Sequence, residues 1–346
     1  MCENAKVLVN CCGPYRFYGE AVVRAAIEAK TNYVDVSGEP QFMESMQLHY
    51  DDLAREAGVY VVSACGFDSI PNDLGVVYLQ KNFKGTLNSV ESYLSVKMAP
   101  EYESEARNTG VIHYGTWESL VYGLAHSGEL AELRKKLYPD RLPPLKPRLQ
   151  KQSVLHRRGA GWSVPFPGAD ASVVYRTQRR ARDVTHSRPV QFKPYVKFSS
   201  LLQAVLTLFA GAILFLMSKT SLTRSLLLRF PRLFSAGMVT RDGPSEAVMK
   251  NCKFQFKLFG EGWEEGADVD ATQPNKNMII TVSGENPGYG ATVSALLLSA
   301  ITMLQEKDKM PGTGGVMTSG FAFKDTELVK KLNENNVTFE VVQQEN

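Results

Sequence analysis

The chain has 346 residues, 44% of them hydrophobic and 22% charged, the balance of a folded protein with room for one large core or two ordinary ones. A net charge of +3 gives no general affinity for nucleic acid. Five scattered cysteines without a CxxC pattern argue against a disulfide framework or a metal site and for a reducing compartment.

The N-terminus carries Glu3 and too short an apolar run for a signal peptide. Val7–Val9 form an apolar strand that reaches a Gly-Pro turn at Gly13–Pro14, and a helix is predicted over Ala21–Lys30. A second strand, Tyr33–Val36, completes a βαβ unit. Phe42, Met46, Tyr50 and Leu53 then recur at helical spacing, with Gly58 as the stop. "VYVVSACGFD" is a third strand, and "NDLGVVYLQKNF" another helix. Residues 1–84 thus alternate strand and helix, with glycine turns at strand ends where α/β sheets bind ligands. Parallel sheets are covered on both faces and rarely begin with so little behind them. The sequence therefore predicts a partial, N-terminally truncated Rossmann-type layer, with an unpaired apolar edge at Val7–Asn10 or Val34–Val36.

From Thr86 the texture becomes β-branched and alternating, so residues 85–287 read as a mixed α+β domain. Phe254–Gly260 and Met278–Glu285, joined by an acidic loop, predict an antiparallel pair. Arg134–Arg158 reads as an irregular surface excursion. Residues 288–346 form a C-terminal segment expected to return towards the first domain, and its helix "ATVSALLLSAITMLQEK" is apolar enough for a core. No convincing pyrophosphate loop occurs. "GEGWEEG" (Gly260–Gly266) follows a strand but precedes no helix and carries three glutamates, so a hairpin turn is expected there. "PGTGG" (Pro311–Gly315) reads as a loop.

"NCCGPYRFYGE", "YVDVSGE" and above all "GFDSIPNDLG" (Gly66–Gly75) resemble the saccharopine dehydrogenase-like oxidoreductases, vertebrate type. The resemblance continues through "GTWES", "VPFPGADASVV" and "GGVMTSGFAF". It implies a nicotinamide-dependent oxidoreductase using NAD or NADP, with hydride transfer as the chemistry. Family members open with a strand and a G-x-x-G-x-x-G loop ahead of the "NCxGPYRFYGE" segment, and this chain starts just short of that segment. Cofactor binding and activity are therefore in doubt for these residues, and the competing expectation is a non-catalytic, membrane- or lipid-droplet-associated scaffold.

The resemblance places Asn10, Gly13, Pro14 and Tyr15 on the nicotinamide side of the cofactor pocket, although Gly-Pro also simply makes the turn. Ser37, Gly38 and Glu39 either line the same crevice or start the helix from Pro40. Gly66, Phe67, Asp68 and Ser69 lie either at the floor of the cleft between the domains or in a plain turn into a helix, and Asp73 reads as structural. His113, beside Thr116, is a candidate acid or base by chemistry alone, as is Asp68. Cys11 and Cys12 read as buried strand-end packing residues, with no histidine or cation fixed beside them.

Leu201–Met217 is an apolar run interrupted only by Gln203 and Thr207, about 25 Å long as a helix and a little short of a bilayer core. No acid occurs from Val184 to Arg241, while Arg188, Lys193, Lys197, Lys219, Arg224, Arg229, Arg232 and Arg241 do. A buried core helix is one reading. The acid-free basic collar favours the other, insertion of residues 198–233 into a membrane or lipid monolayer from the cytosolic side. Basic flanks at both ends disfavour a simple span. A lipid-droplet or other organelle surface, the mitochondrion included, is the expected location.

Overall fold

The structure, a computed structural model, describes residues 1–345 apart from Arg141, with side chains through Val342. Residues 1–84 run β1 (Val7–Asn10), α1 (Tyr15–Glu28), β2 (Asn32–Asp35), α2 (Pro40–Glu56), β3 (Tyr60–Val62) and α3 (Ser69–Asn82). The next stretch contains β4 (Gly85–Met98), α4 (Glu103–Thr109), β5 (Ile112–His113), α5 (Tyr114–Ala125), α6 (Glu129–Leu137), β6 (Trp162–Pro165), α7 (Asp170–Thr185) and β7 (Gln191–Phe198). It continues through α8 (Leu201–Ser218), α9 (Ser221–Arg229), α10 (Pro231–Phe234), β8 (Val239–Thr240), α11 (Glu246–Lys250), β9 (Cys252–Glu264) and β10 (Lys276–Glu285). The chain ends with α12 (Thr292–Gln305), β11 (Gly315–Met317), α13 (Ser319–Phe323), α14 (Leu328–Asn333) and β12 (Val337–Glu345). The fold is α/β, with a four-stranded parallel sheet, a six-stranded mixed sheet and a two-stranded parallel pair, β5–β8.

The first sheet has the order β1-β2-β3-β11, all parallel. Its strands are apolar on both faces because both are covered. Tyr33, Val61 and Val316 pack with Val23 and Ile27 of α1 and Phe42 and Met46 of α2. Val34, Val62 and Met317 instead face Ala295 and Met303 of α12. β11 brings the C-terminal segment back into this layer, and Asp51 fixes it there by accepting from Val316 N at 2.9 Å. β1 is the sheet's edge, whereas Val34 is paired on both sides, with Val9 and Val62. Of the two edges expected, the sheet order has Val7–Asn10 and not Val34–Val36, because β2 lies between β1 and β3.

The second sheet has the order β12-β10-β9-β4-β7-β6. The β9–β10 pair is antiparallel from Lys253↔Glu285 to Gly262↔Lys276, so the turn predicted over Gly260–Gly266 is confined to the end of that segment, after Glu264. Gly260 and Gly262 are strand residues, and α3 packs over Gly260. A Cβ at Gly260 would lie 2.6 Å from Leu79, so the sheet–helix approach requires glycine. α1 begins at Tyr15, earlier than Ala21, because Gly19 gives Phe42 room against the helix. Residues 129–137 are helical, so the excursion from Arg134 begins inside α6. α12 is only half a core helix: Ala295, Leu296, Ala300 and Met303 are buried, while Val293, Leu297, Ile301 and Leu304 form an exposed row.

Candidate functional site

The carboxyl ends of β1–β3 carry a dense polar network. Tyr33 OH accepts from Asn10 Nδ2 and donates to Asp35 Oδ2, each at 2.9 Å. Asp35 also accepts from Ser37 N, Ala64 N and Ser63 Oγ. Burial pushes its carboxyl up to about 6 despite those donors. Tyr15 OH donates to Asn10 O at 2.8 Å. Glu39 does not serve its own helix. Its carboxylate accepts from Tyr15 N and Arg16 N, both at 2.9 Å, and from Ser119 Oγ at 2.8 Å. Ser37 Oγ accepts from Glu39 N at the start of α2.

This bears directly on a dinucleotide. The N-terminus of α1 is the place where a helix offers free N–H groups and a positive dipole to phosphate. Glu39 already occupies it, so a pyrophosphate there would meet a carboxylate instead of donors. Asn10, Pro14 and Tyr15 are buried and, apart from Pro14, engaged within the network. Gly13 and Gly38 are exposed, and a Cβ at Gly38 would touch nothing within 4 Å. The N-terminus of α1 therefore offers a phosphate no free donors, and the exposed Gly13 and Gly38 border an open strip beside the strand ends. Cys11 and Cys12 are exposed there, correcting the expectation of buried packing, because the chain leaves β1 outward into the Gly13–Pro14 turn.

Gly66, Asp68 and Ser69 gather at the junction of β3 and α3, where Gly66 is packed against Thr292 and Val36. Asp68 is the N-cap of α3 but makes no side-chain cap, and its backbone sits at φ 74°, ψ −67°, a conformation costing a non-glycine residue about 1–3 kcal/mol. Its Oδ1 is buried without a partner, although the residue as a whole is half-buried. Across from it, Asp170 opens α7, fully buried, accepting from Asn72 Nδ2 and from Ser69 Oγ at 3.4 Å. Burial pushes Asp68 up to about 7. Asp170 is raised well above the carboxylate range by burial and then by the negative field of Asp68. Burial and like charge thus favour the protonated form of both carboxyls, the condition for an acid–base pair. Asp73 is different. It accepts from Thr177 Oγ1, Ser319 Oγ and Gly320 N, joining α3 to α7 and α13. His113 stands apart, exposed at the N-cap of α5, where Nδ1 accepts from Gly115 N at 3.1 Å.

The acid pair has a testable signature. A carboxyl whose folded pKa lies above its unfolded value of 3.8 binds its proton more tightly when folded. The resulting stability is complete below about pH 4 and lost as pH rises through about 7. Asp35 and Asp73, each raised to about 6, add to the lower part of that fall. Asp68→Asn removes its own contribution and relieves Asp170. Its melting temperature is expected to fall less than the parent's between about pH 6 and 8, and parallel curves would show that Asp68 carries no proton there.

The second unusual surface is α8. Only Ala204 and Ser218 are buried, with Leu208, Leu214 and Met217 half-buried, a narrow seam against α5, α9, β6 and β7. Leu202, Leu206, Phe209, Ile213 and Leu216 are exposed along the outer face. A core-helix reading is corrected by this geometry. α9 and α10 continue the apolar surface with Leu222, Leu226, Phe230 and Leu233. A small core of Trp117, Val121, Leu227 and Val239 anchors the whole hairpin, with Trp117 Nε1 donating to Leu227 O at 3.0 Å. The basic collar divides. Lys219 donates to Leu124 O and Ser127 Oγ, and Arg224 donates to Ser218 O and lies over Tyr122, so both tie the hairpin to the body.

Sequence reasoning missed Asp35, the occupation of α1 by Glu39, and Asp170. An acid inside the apolar strand "YVDV" and an aspartate opening the helix after "FPGA" were the available signals.

Comparison with known proteins agrees with the nucleotide-layer topology and the strand-end signature. Residues 1–62 match the family model "Saccharopine dehydrogenase NADP binding domain". The human "Saccharopine dehydrogenase-like oxidoreductase" is 38% identical over 344 residues, covering 99% of this chain and 79% of that protein. The "Lipid droplet localized protein" of Caenorhabditis elegans is 36% identical over 350 residues, covering 99% of this chain and 80% of its own. A protein of Arabidopsis thaliana named "Probable mitochondrial saccharopine dehydrogenase-like oxidoreductase" is 34% identical over 374 residues, covering 99% and 79%. A likeness that runs from the parallel layer through α8 to β12 is one of common descent: the chain belongs to the saccharopine dehydrogenase-like oxidoreductase family.

Proposed function

We propose that this chain is a membrane- or lipid-monolayer-attached oxidoreductase of the NAD(P) type, seated on the cytosolic face through residues 198–233. The observation that carries the attachment is the outer face of α8, where Leu202, Phe209 and Leu216 are each at least 65% exposed. A contiguous apolar face of this kind on a folded domain marks an interaction surface. Because α8 is held to the body along a seam, it lies in the plane of the interface and does not cross it. The lipid-droplet name of the worm relative favours a droplet surface, and the plant relative's name leaves the mitochondrion as the other membrane. In such an enzyme the cofactor carries the hydride chemistry, and the role open to this chain's residues is to hold a proton at the Asp68–Asp170 pair.

A second reading, a non-catalytic scaffold, draws on Glu39. With its carboxylate on the α1 N-terminus, these residues keep the layer and lack the phosphate cradle. Both readings share the attachment. Membrane fractionation tests it: the chain is expected to stay with membranes through high salt, which screens only charge, and to leave them in detergent. Recovery in the soluble fraction at physiological salt would overturn it.

A further inference from the structure

Three arginines of the collar converge, of which Arg241 also donates to Leu228 O at 3.4 Å. Arg229 ends α9, Arg232 lies in α10 and Arg241 follows β8, and with Arg107 of α4 they line an open cleft of about 910 Å³. The cleft holds four arginines against a single aspartate, Asp242. Arg107 lies 3.7 Å from Glu103, and among the described residues Arg229, Arg232 and Arg241 make no ion pair. Arg241 is oriented over the ring of Tyr114 at 4.6 Å and Arg229 over that of Phe230 at 5.6 Å. Phe230 and Leu233, 46% and 73% exposed, alternate with these arginines and continue the apolar face of α8 and α9.

We infer that this cleft is a recognition site for the headgroup of an anionic glycerophospholipid, whose net negative charge distinguishes it from zwitterionic phosphatidylcholine. Guanidinium groups bind phosphate oxygens in a bidentate, charge-assisted manner. A soluble phosphate has no use for the intervening apolar side chains, whereas a lipid whose phosphate sits among Arg229, Arg232 and Arg241 lays its acyl chains along Phe230 and Leu233. The inference rests on the attachment proposed above and adds what it leaves open: which lipid, and through which charges.

The test is flotation of the intact chain with vesicles of phosphatidylcholine alone, or of four parts phosphatidylcholine to one part phosphatidylserine. At about 1 kcal/mol per arginine, Arg229→Gln with Arg232→Gln is expected to lower affinity for the anionic vesicles about thirtyfold. Binding to neutral vesicles should change less than about threefold, since the apolar face is intact. Lys193→Gln with Lys197→Gln, the same change in charge on β7, should cost less than about threefold on either surface. An equal loss from both pairs means diffuse attraction and overturns the site. So does an arginine pair that lowers neutral and anionic binding alike. A rise in melting temperature with inorganic phosphate alone, lost in the arginine variant, would reassign the cleft to a soluble anion. If the parent binds neither vesicle, the attachment itself fails and the lipid site with it; retained neutral binding without an arginine-dependent gain fails the site alone.

Discussion

A polypeptide of these 346 residues is expected to bind NADPH at least about a hundredfold more weakly than one extended by a strand, glycine loop and helix at its N-terminus. A glycine loop supplies phosphate with charge-assisted hydrogen bonds worth about 1.5–3 kcal/mol each, and two or three of them account for that ratio. The N-terminus of α1 offers no replacement. Its first N–H groups, at Tyr15 and Arg16, already donate to Glu39, and Ser119 holds that carboxylate from the other side. A phosphate arriving there must displace a buried acid with three donors or accept its repulsion. Calorimetric titration of the two polypeptides measures the difference. Micromolar affinity in the shorter one would show that another part of the chain cradles the phosphates.

The parts of this molecule that were legible in the sequence are those set by local pattern. Continuous apolar runs before glycine turns gave β1 to β3, because a sheet covered on both faces needs no alternation. Residues Phe254–Gly260 and Met278–Glu285 declared an antiparallel pair, and they lie side by side. What stayed hidden depends on residues far apart in the chain. Glu39 looks like an acid favoured at the start of the next helix, and only the fold shows it reaching back to α1. Asp170 lies about a hundred residues from Ser69 and Asn72, to which it is bonded. The basic collar reads as one uniform feature along the sequence. In three dimensions Lys219 donates to the end of α5 and Arg224 lies over Tyr122 of that helix, while Arg229, Arg232 and Arg241 meet Arg107 across a cleft. β7 escaped notice because Pro194 interrupts its pattern, yet it pairs in parallel with β4.

The largest effect is expected at α8. Leu202, Leu206, Phe209 and Leu216 recur along one face and are 65%, 55%, 65% and 68% exposed. Each large apolar side chain moved from water into lipid contributes about 1.5–3 kcal/mol, so four supply roughly 6–12 kcal/mol. The basic residues add about 1 kcal/mol each near an anionic surface, a smaller and salt-sensitive share. These four side chains lie outside the seam of Ala204, Leu208, Leu214 and Met217 that holds the helix to the body, so replacing them leaves the folded domain its contacts.

Replacing all four with glutamine, a good helix former, and measuring both membrane partition and melting temperature tests the attachment most directly. The account predicts a variant found in the soluble fraction, its membrane affinity down by at least about ten-thousandfold, with melting within a few degrees of the parent. A variant that remains on membranes, or one that unfolds while the parent is itself soluble, would contradict it.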